Sequence, residues 1–129
     1  MYAWAEGTDP LRYEKPAVIS SSEILDVLRR SDTSPQERID AVLSAIFHSD
    51  SVEFAGDIII REFSTSEYAE KRYLKNLFET FYQSRGTAYR IDESVLLLRR
   101  YAAGEPNESA EVAETIEALL EYKSIFGSS

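Results

Sequence analysis

The sequence predicts an all-α fold of about six helices in antiparallel hairpins, and three observations lead there. Apolar residues recur at i, i+3, i+4 and i+7 along most of the chain. Short polar residues followed three positions later by glutamate punctuate its first half at near-regular intervals. Only 5 glycines and 4 prolines interrupt 129 residues, which favours long regular elements.

The elements follow in order. Residues 1–19 show no helical period, hold two prolines, and carry Tyr2, Trp4, Leu11 and Tyr13. That is too apolar for a free tail, so an irregular arm laid across the helices is expected. The pairs Ser20–Glu23, Ser34–Glu37, Asp50–Glu53 and Ser64–Glu67 each fit a capping box, with Pro35 at the first position of its helix. A first helix over about 21–30 offers Ile24, Leu25 and Leu28. A second over 35–48 carries Ile39, Val42, Leu43, Ile46 and Phe47. A third over 51–63 has Val52, Ala55, Gly56, Ile59, Ile60 and Phe63, with Phe54 and Ile58 on a second stripe. It is expected to be covered on two sides.

The fourth helix, 66–85, sets Leu74, Leu77, Phe78, Phe81 and Tyr82 on one face, and Arg85-Gly86 reads as its stop. Tyr68, Lys71, Arg72 and Lys75 are expected to face away from the core. The fifth helix, about 88–103, has stripes at Ile91, Val95, Leu98, Ala102 and at Leu97, Tyr101, so it too is expected to be central. Gly104, Pro106 and Asn107 break the chain. The sixth helix, 109–126, places Val112, Ile116, Leu119, Leu120 and Lys123 on one side and Glu111, Glu114, Glu117 and Glu121 on the other. The whole reads as one domain spanning 1–129.

Capping signals near residues 20, 34, 50 and 64 give a period of about 30 residues in helix pairs. On this spacing the segment 35–63 resembles a HEAT-type pair of helices, which implies a short stack of helical hairpins. An irregular six-helix bundle accounts for the same pattern.

Composition removes several kinds of chemistry. There is no cysteine, hence no disulfide, thiolate ligand or thiol nucleophile. The sole histidine, His48, ends the second helix, and no G-x-S-x-G elbow presents a serine to it. His48, Asp50 and Glu53 lie close in sequence, but without a second ligand cluster no metal site is expected. Glycine-rich phosphate loops are absent, so no cofactor is expected either. The chain is read as a non-enzyme. No apolar run is long enough for a membrane span and no targeting segment stands at the N-terminus, so the expected compartment is the cytoplasm.

Net charge is −9 and uneven: −6 over residues 1–65, +2 over 66–103 and −5 over 104–129. An acidic chain repels phosphates and attracts cations. Two surfaces therefore stand out. One is the row Glu111, Glu114, Glu117 and Glu121, a set of carboxylates for a partner's lysines and arginines, with Tyr122 and Tyr68 as aromatic anchors. The other is the basic-aromatic stretch 68–101, including Arg72 and Lys75, which would serve a regulatory or nucleic-acid-associated module. Net acidity favours the first, a non-catalytic module binding a cationic protein. In kind, such small acidic cysteine-free helical proteins resemble bacterial immunity proteins and antitoxins, which implies an inhibitor of a basic partner. A second copy of the chain would cover the third and fifth helices as well as their own neighbours do.

Overall fold

The computed structural model describes residues 20–66 and 68–127, with the backbone alone for residues 68–70. The arm expected over 1–19, Glu67, and the Tyr68 side chain lie outside the described residues. Among those described, six α-helices and no strand are present: α1 (Ser21–Arg29), α2 (Pro35–His48), α3 (Val52–Thr65), α4 (Tyr68–Arg85), α5 (Ile91–Gly104) and α6 (Ser109–Phe126). A 3-10 turn, Pro106–Glu108, leads into α6.

Side-chain contacts fix the direction of every helix from α2 onward. Arg38 in the first turn of α2 meets Glu62 near the end of α3 at 2.8 Å, so these two run antiparallel. Gly56, early in α3, lies against Phe81, late in α4. Asp92, early in α5, accepts from Lys123, late in α6, at 2.7 Å. By contrast α2, α4 and α6 run parallel: Arg85 at the end of α4 donates to Ile46 and Ser49 carbonyls at the end of α2. Lys75 and Glu111 join the early turns of α4 and α6 at 2.9 Å. Likewise α3 and α5 are parallel, joined by Asp57–Arg90 at one end and by the Phe63–Tyr101 rings, 5.6 Å apart, at the other. The arrangement is a stack of three helical hairpins, α1/α2, α3/α4 and α5/α6, in which α2, α4 and α6 pack side by side as one layer.

Phe63 is the junction of the core, edge-on to Phe78 at 5.1 Å and to Tyr101. The same continuous core takes in Ile39, Val42, Ile46, Ile59, Phe81, Leu98, Val112 and Leu119. Helix α3 is covered on two sides, as its double stripe requires. The expectation that α5 would be its equal is not met. α2 is buried from Ala41 to Ile46, whereas α5 leaves Asp92, Glu93, Leu96, Arg99 and Arg100 exposed. Among the described residues, α5 packs on α6, α3 and the 3-10 turn and is left open on its other side.

Ser20 and Ser34 form full capping boxes with Glu23 and Glu37. Two other caps differ from expectation. The N-cap of α3 is Ser51, whose Oγ accepts from the Phe54 N–H; Asp50 stands one residue too early. Ser64 is still inside α3, its hydroxyl donating back to the Ile60 carbonyl. That helix runs on through Thr65 and α4 begins at Tyr68, so the two-residue link lies two positions later than the sequence suggests.

Candidate functional site: the outer face of the last hairpin

The eight residues singled out by sequence separate into two places and one omission. Lys75 is a correction. It is not on an outward face but 3% exposed, sealed between α4 and the turn before α6. There it pairs with Glu108, itself buried, and with Glu111 at 2.9 Å. The stripe Leu74, Phe78, Phe81 carries its neighbour inward, and α6 covers the rest. Burial alone would lower the Lys75 pKa, but the hydrogen bonds it donates to Glu108 and Glu111 outweigh that and hold the ammonium above the ordinary lysine range. Arg72 is exposed and reaches Glu108 at 3.5 Å. Glu111 is therefore engaged at home, unlike the three glutamates that follow it.

Glu114, Glu117 and Glu121 are exposed and have no ion-pair partner among the described residues. Glu114 and Glu121 are seven apart and share one line of α6; Ala118 and Ile125 form the next line, and Tyr122 the one nearest α4. The Tyr122 ring stacks on Phe126, centroids 6.0 Å apart and planes 25° from parallel. Phe126 in turn rests over Gly86, the stop of α4. Partial burial, then the charges of Glu79 on α4 and of Glu121, raise the Tyr122 phenol above its usual pKa. The result is a stacked aromatic pair with Ile125, 57% exposed, beside it and carboxylates around it. Sequence reasoning missed Glu79, Ile125 and Phe126. The i, i+4 spacing of Tyr122 and Phe126 was a readable signal; Glu79 joins only through the packing of α4 on α6.

The basic residues are mostly used within the fold. Arg38 pairs with Glu62, Arg90 with Asp57 and Glu93, and Lys123 with Asp92. Arg85 is spent on two carbonyls of α2. Lys71 donates to the Ser66 carbonyl at 2.7 Å and stands 5.6 Å from the Phe63 ring centre. An open cleft of about 610 Å³ lies there, lined by Phe63, Ser64, Lys71, Leu97, Arg100 and Tyr101 among others. It receives the C-terminal ends of α3 and α5, whose partial negative charge Lys71 offsets. A phosphate would compete with those carbonyls for the same cation.

His48 ends α2, its Nε2 buried and without a hydrogen-bond partner among the described residues. No cluster of three or more His, Asp or Glu among the described residues could hold a metal ion. No helix among them is long and apolar enough to cross a membrane. No protein-family model matches the chain, and neither a curated protein nor a solved structure matches it.

Proposed function

We propose that the protein is a non-catalytic binding module for a cationic protein, which docks on the face built by Glu79, Glu114, Glu121, Tyr122 and Ile125. The observation that carries this reading is the unequal use of charge. Lys75, Arg85 and Lys123 are occupied by their own carboxylates and carbonyls, while Glu114 and Glu121 are left to solvent beside a stacked aromatic pair. Aromatic anchors ringed by complementary charge are the pattern of interface hot spots, and a partner's arginine fits both the carboxylates and the ring face. Inhibition of a basic partner in the cytoplasm, in the manner of immunity proteins, is the form of binding this proposal favours. The basic-aromatic surface of 68–101 is less well supported as a nucleic-acid module, because Lys75 is buried and Lys71 and Arg90 are engaged.

The test is capture from lysate of the source cells on immobilised protein, at low salt and at about 0.5 M, where the screening length falls to roughly 4 Å. The expected result is one basic protein, retained at low salt, lost with Glu114→Lys/Glu121→Lys or Tyr122→Ala, and kept with Arg72→Glu. Capture indifferent to the α6 reversals, or elution of nucleic acid, would count against it.

A further inference from the structure

The outward seam between α5 and α6 lies on another side of the last hairpin. Leu96 and Leu120 are 47% and 42% exposed, and both border it. The approach of Gly127 to Ala88 and the bond from Lys123 Nζ to Asp92 Oδ1 together show which residues of these antiparallel helices stand level. One turn along, Leu96 comes level with Leu120; a turn further, Arg99 with Glu117; then Ala103 with Ala113. All six are exposed. Neither Arg99 nor Glu117 has an ion-pair partner among the described residues. A solvent-facing side of a helical stack ordinarily is polar. This one has an apolar centre, a cation on one rim, an anion on the other, and small side chains at one end.

We propose that this seam is a two-fold interface with a second copy of the chain, its axis parallel to the helices. Rotation about such an axis lays α5 of one copy against α6 of the other and keeps every residue at its own level. Leu96 then meets the partner's Leu120, Arg99 meets the partner's Glu117, and Ala103 meets the partner's Ala113, each contact made twice. The alanines let the backbones approach, and the leucines leave water on both sides of the axis. A basic helix from another protein would satisfy Glu117 but set its cations against Arg99. A second copy satisfies both rims. Repulsion between remote carboxylates of the two copies is weak beyond a screening length of about 8 Å. The inference is independent of the cationic-partner reading, which uses the side of α6 turned toward α4.

Sedimentation equilibrium of the full chain tests it, with circular dichroism to confirm that each variant keeps its helices. The wild type is expected to dimerise. Leu120→Glu should raise the dissociation constant at least about a hundredfold, since it buries two carboxylates against leucine. Arg99→Glu should weaken the dimer, and Arg99→Glu with Glu117→Arg should restore it, because opposite charges again face each other across the axis. A wild type monomeric at its highest soluble concentration would overturn the proposal. So would a dimer unchanged by Leu120→Glu, or a double charge swap that fails to rescue. A monomer whose Leu96 and Leu120 methyl resonances shift on adding a basic amphipathic peptide would assign the seam to a foreign helix and overturn it too.

Discussion

Lys75 and Glu108 form an ion pair inside the protein, with side chains only 4% and 8% exposed, where α4 meets the turn that starts α6. Two charges taken from water so completely do not by themselves stabilise a fold; removing one alone is what costs. Lys75→Met should therefore destabilise the protein by about 3 kcal/mol in urea unfolding, because it takes the buried cation away from the Glu108 carboxylate and leaves Arg72 farther off at 3.5 Å. Lys75→Met with Glu108→Met should recover most of that loss. If the double variant is as unstable as the single one, the pair is doing more than neutralising itself.

That same lysine shows where the sequence stops being legible. The all-α class, the ends of α2 and α6, and two capping boxes follow from patterns within one helix. Lys75 sits next to Leu74 on the edge of an apolar stripe, and only the arrival of α6 decides whether that edge is wet or dry. Ser51 and Asp50 are both good capping residues one position apart, so spacing alone does not choose between them. The start of α5 is set by Arg90, held at φ 52°, ψ 30° while its guanidinium binds Asp57 of α3 and Glu93 of its own helix. A left-handed arginine has no local signature, and a contact more than thirty residues distant maintains it. Of the proposed surface, the glutamates of α6 were readable as a row. That Glu111 is withdrawn from it and Glu79 added was not, since both depend on α4.

Gly56 and Gly86 are both needed, for unlike reasons. A Cβ at Gly56 would come within 2.6 Å of the Tyr89 ring and 3.2 Å of Phe81, where the α4–α5 link crosses α3. Gly56→Ala should cost about 1–3 kcal/mol through overpacking, despite alanine's better helix propensity. Gly86 meets nothing closer than 3.7 Å, but its φ is +58°. Gly86→Ala should cost about 1 kcal/mol, from the backbone alone. Adding Tyr89→Ala should make Gly56→Ala tolerable and leave the Gly86→Ala penalty untouched; equal rescue of both would refute the distinction.

Tyr82 predicts an alkaline limit to stability. Its hydroxyl donates to the Tyr89 carbonyl at 2.8 Å and lies 2.7 Å from Ser94 Oγ, deep under the α4–α5 link. Burial pushes the phenol up to about 12 from 10.0. An acid whose pKa is raised on folding loses its proton first in the unfolded chain. Its contribution is therefore whole below pH 10 and disappears between pH 10 and 12, amounting to about 2–3 kcal/mol. Lys75, also raised, adds a loss of the same sign above the ordinary lysine value of 10.5. Denaturant midpoints should fall steeply above pH 10, and Tyr82→Phe, weaker near neutrality by about 1 kcal/mol for its lost hydrogen bonds, should fall less steeply. Parallel curves for the two proteins would rule Tyr82 out as the cause.

Arg85 ties α4 to α2 at one end of their layer. Its two terminal nitrogens donate to Ile46 O and Ser49 O, each at 2.9 Å, and so satisfy carbonyls that the end of α2 leaves open. A cation there also meets the negative end of that helix. Arg85→Ala should cost about 2 kcal/mol, the usual range for hydrogen bonds to a charged group. Arg85→Lys should recover less than half, because an ammonium on a flexible stem cannot present two parallel donors to two carbonyls. Amide exchange should locate the damage: faster exchange in the last turn of α2 and the 49–51 link, with α6 unchanged. Were exchange to quicken equally throughout, Arg85 would be acting on global stability and not as the clasp between α4 and α2.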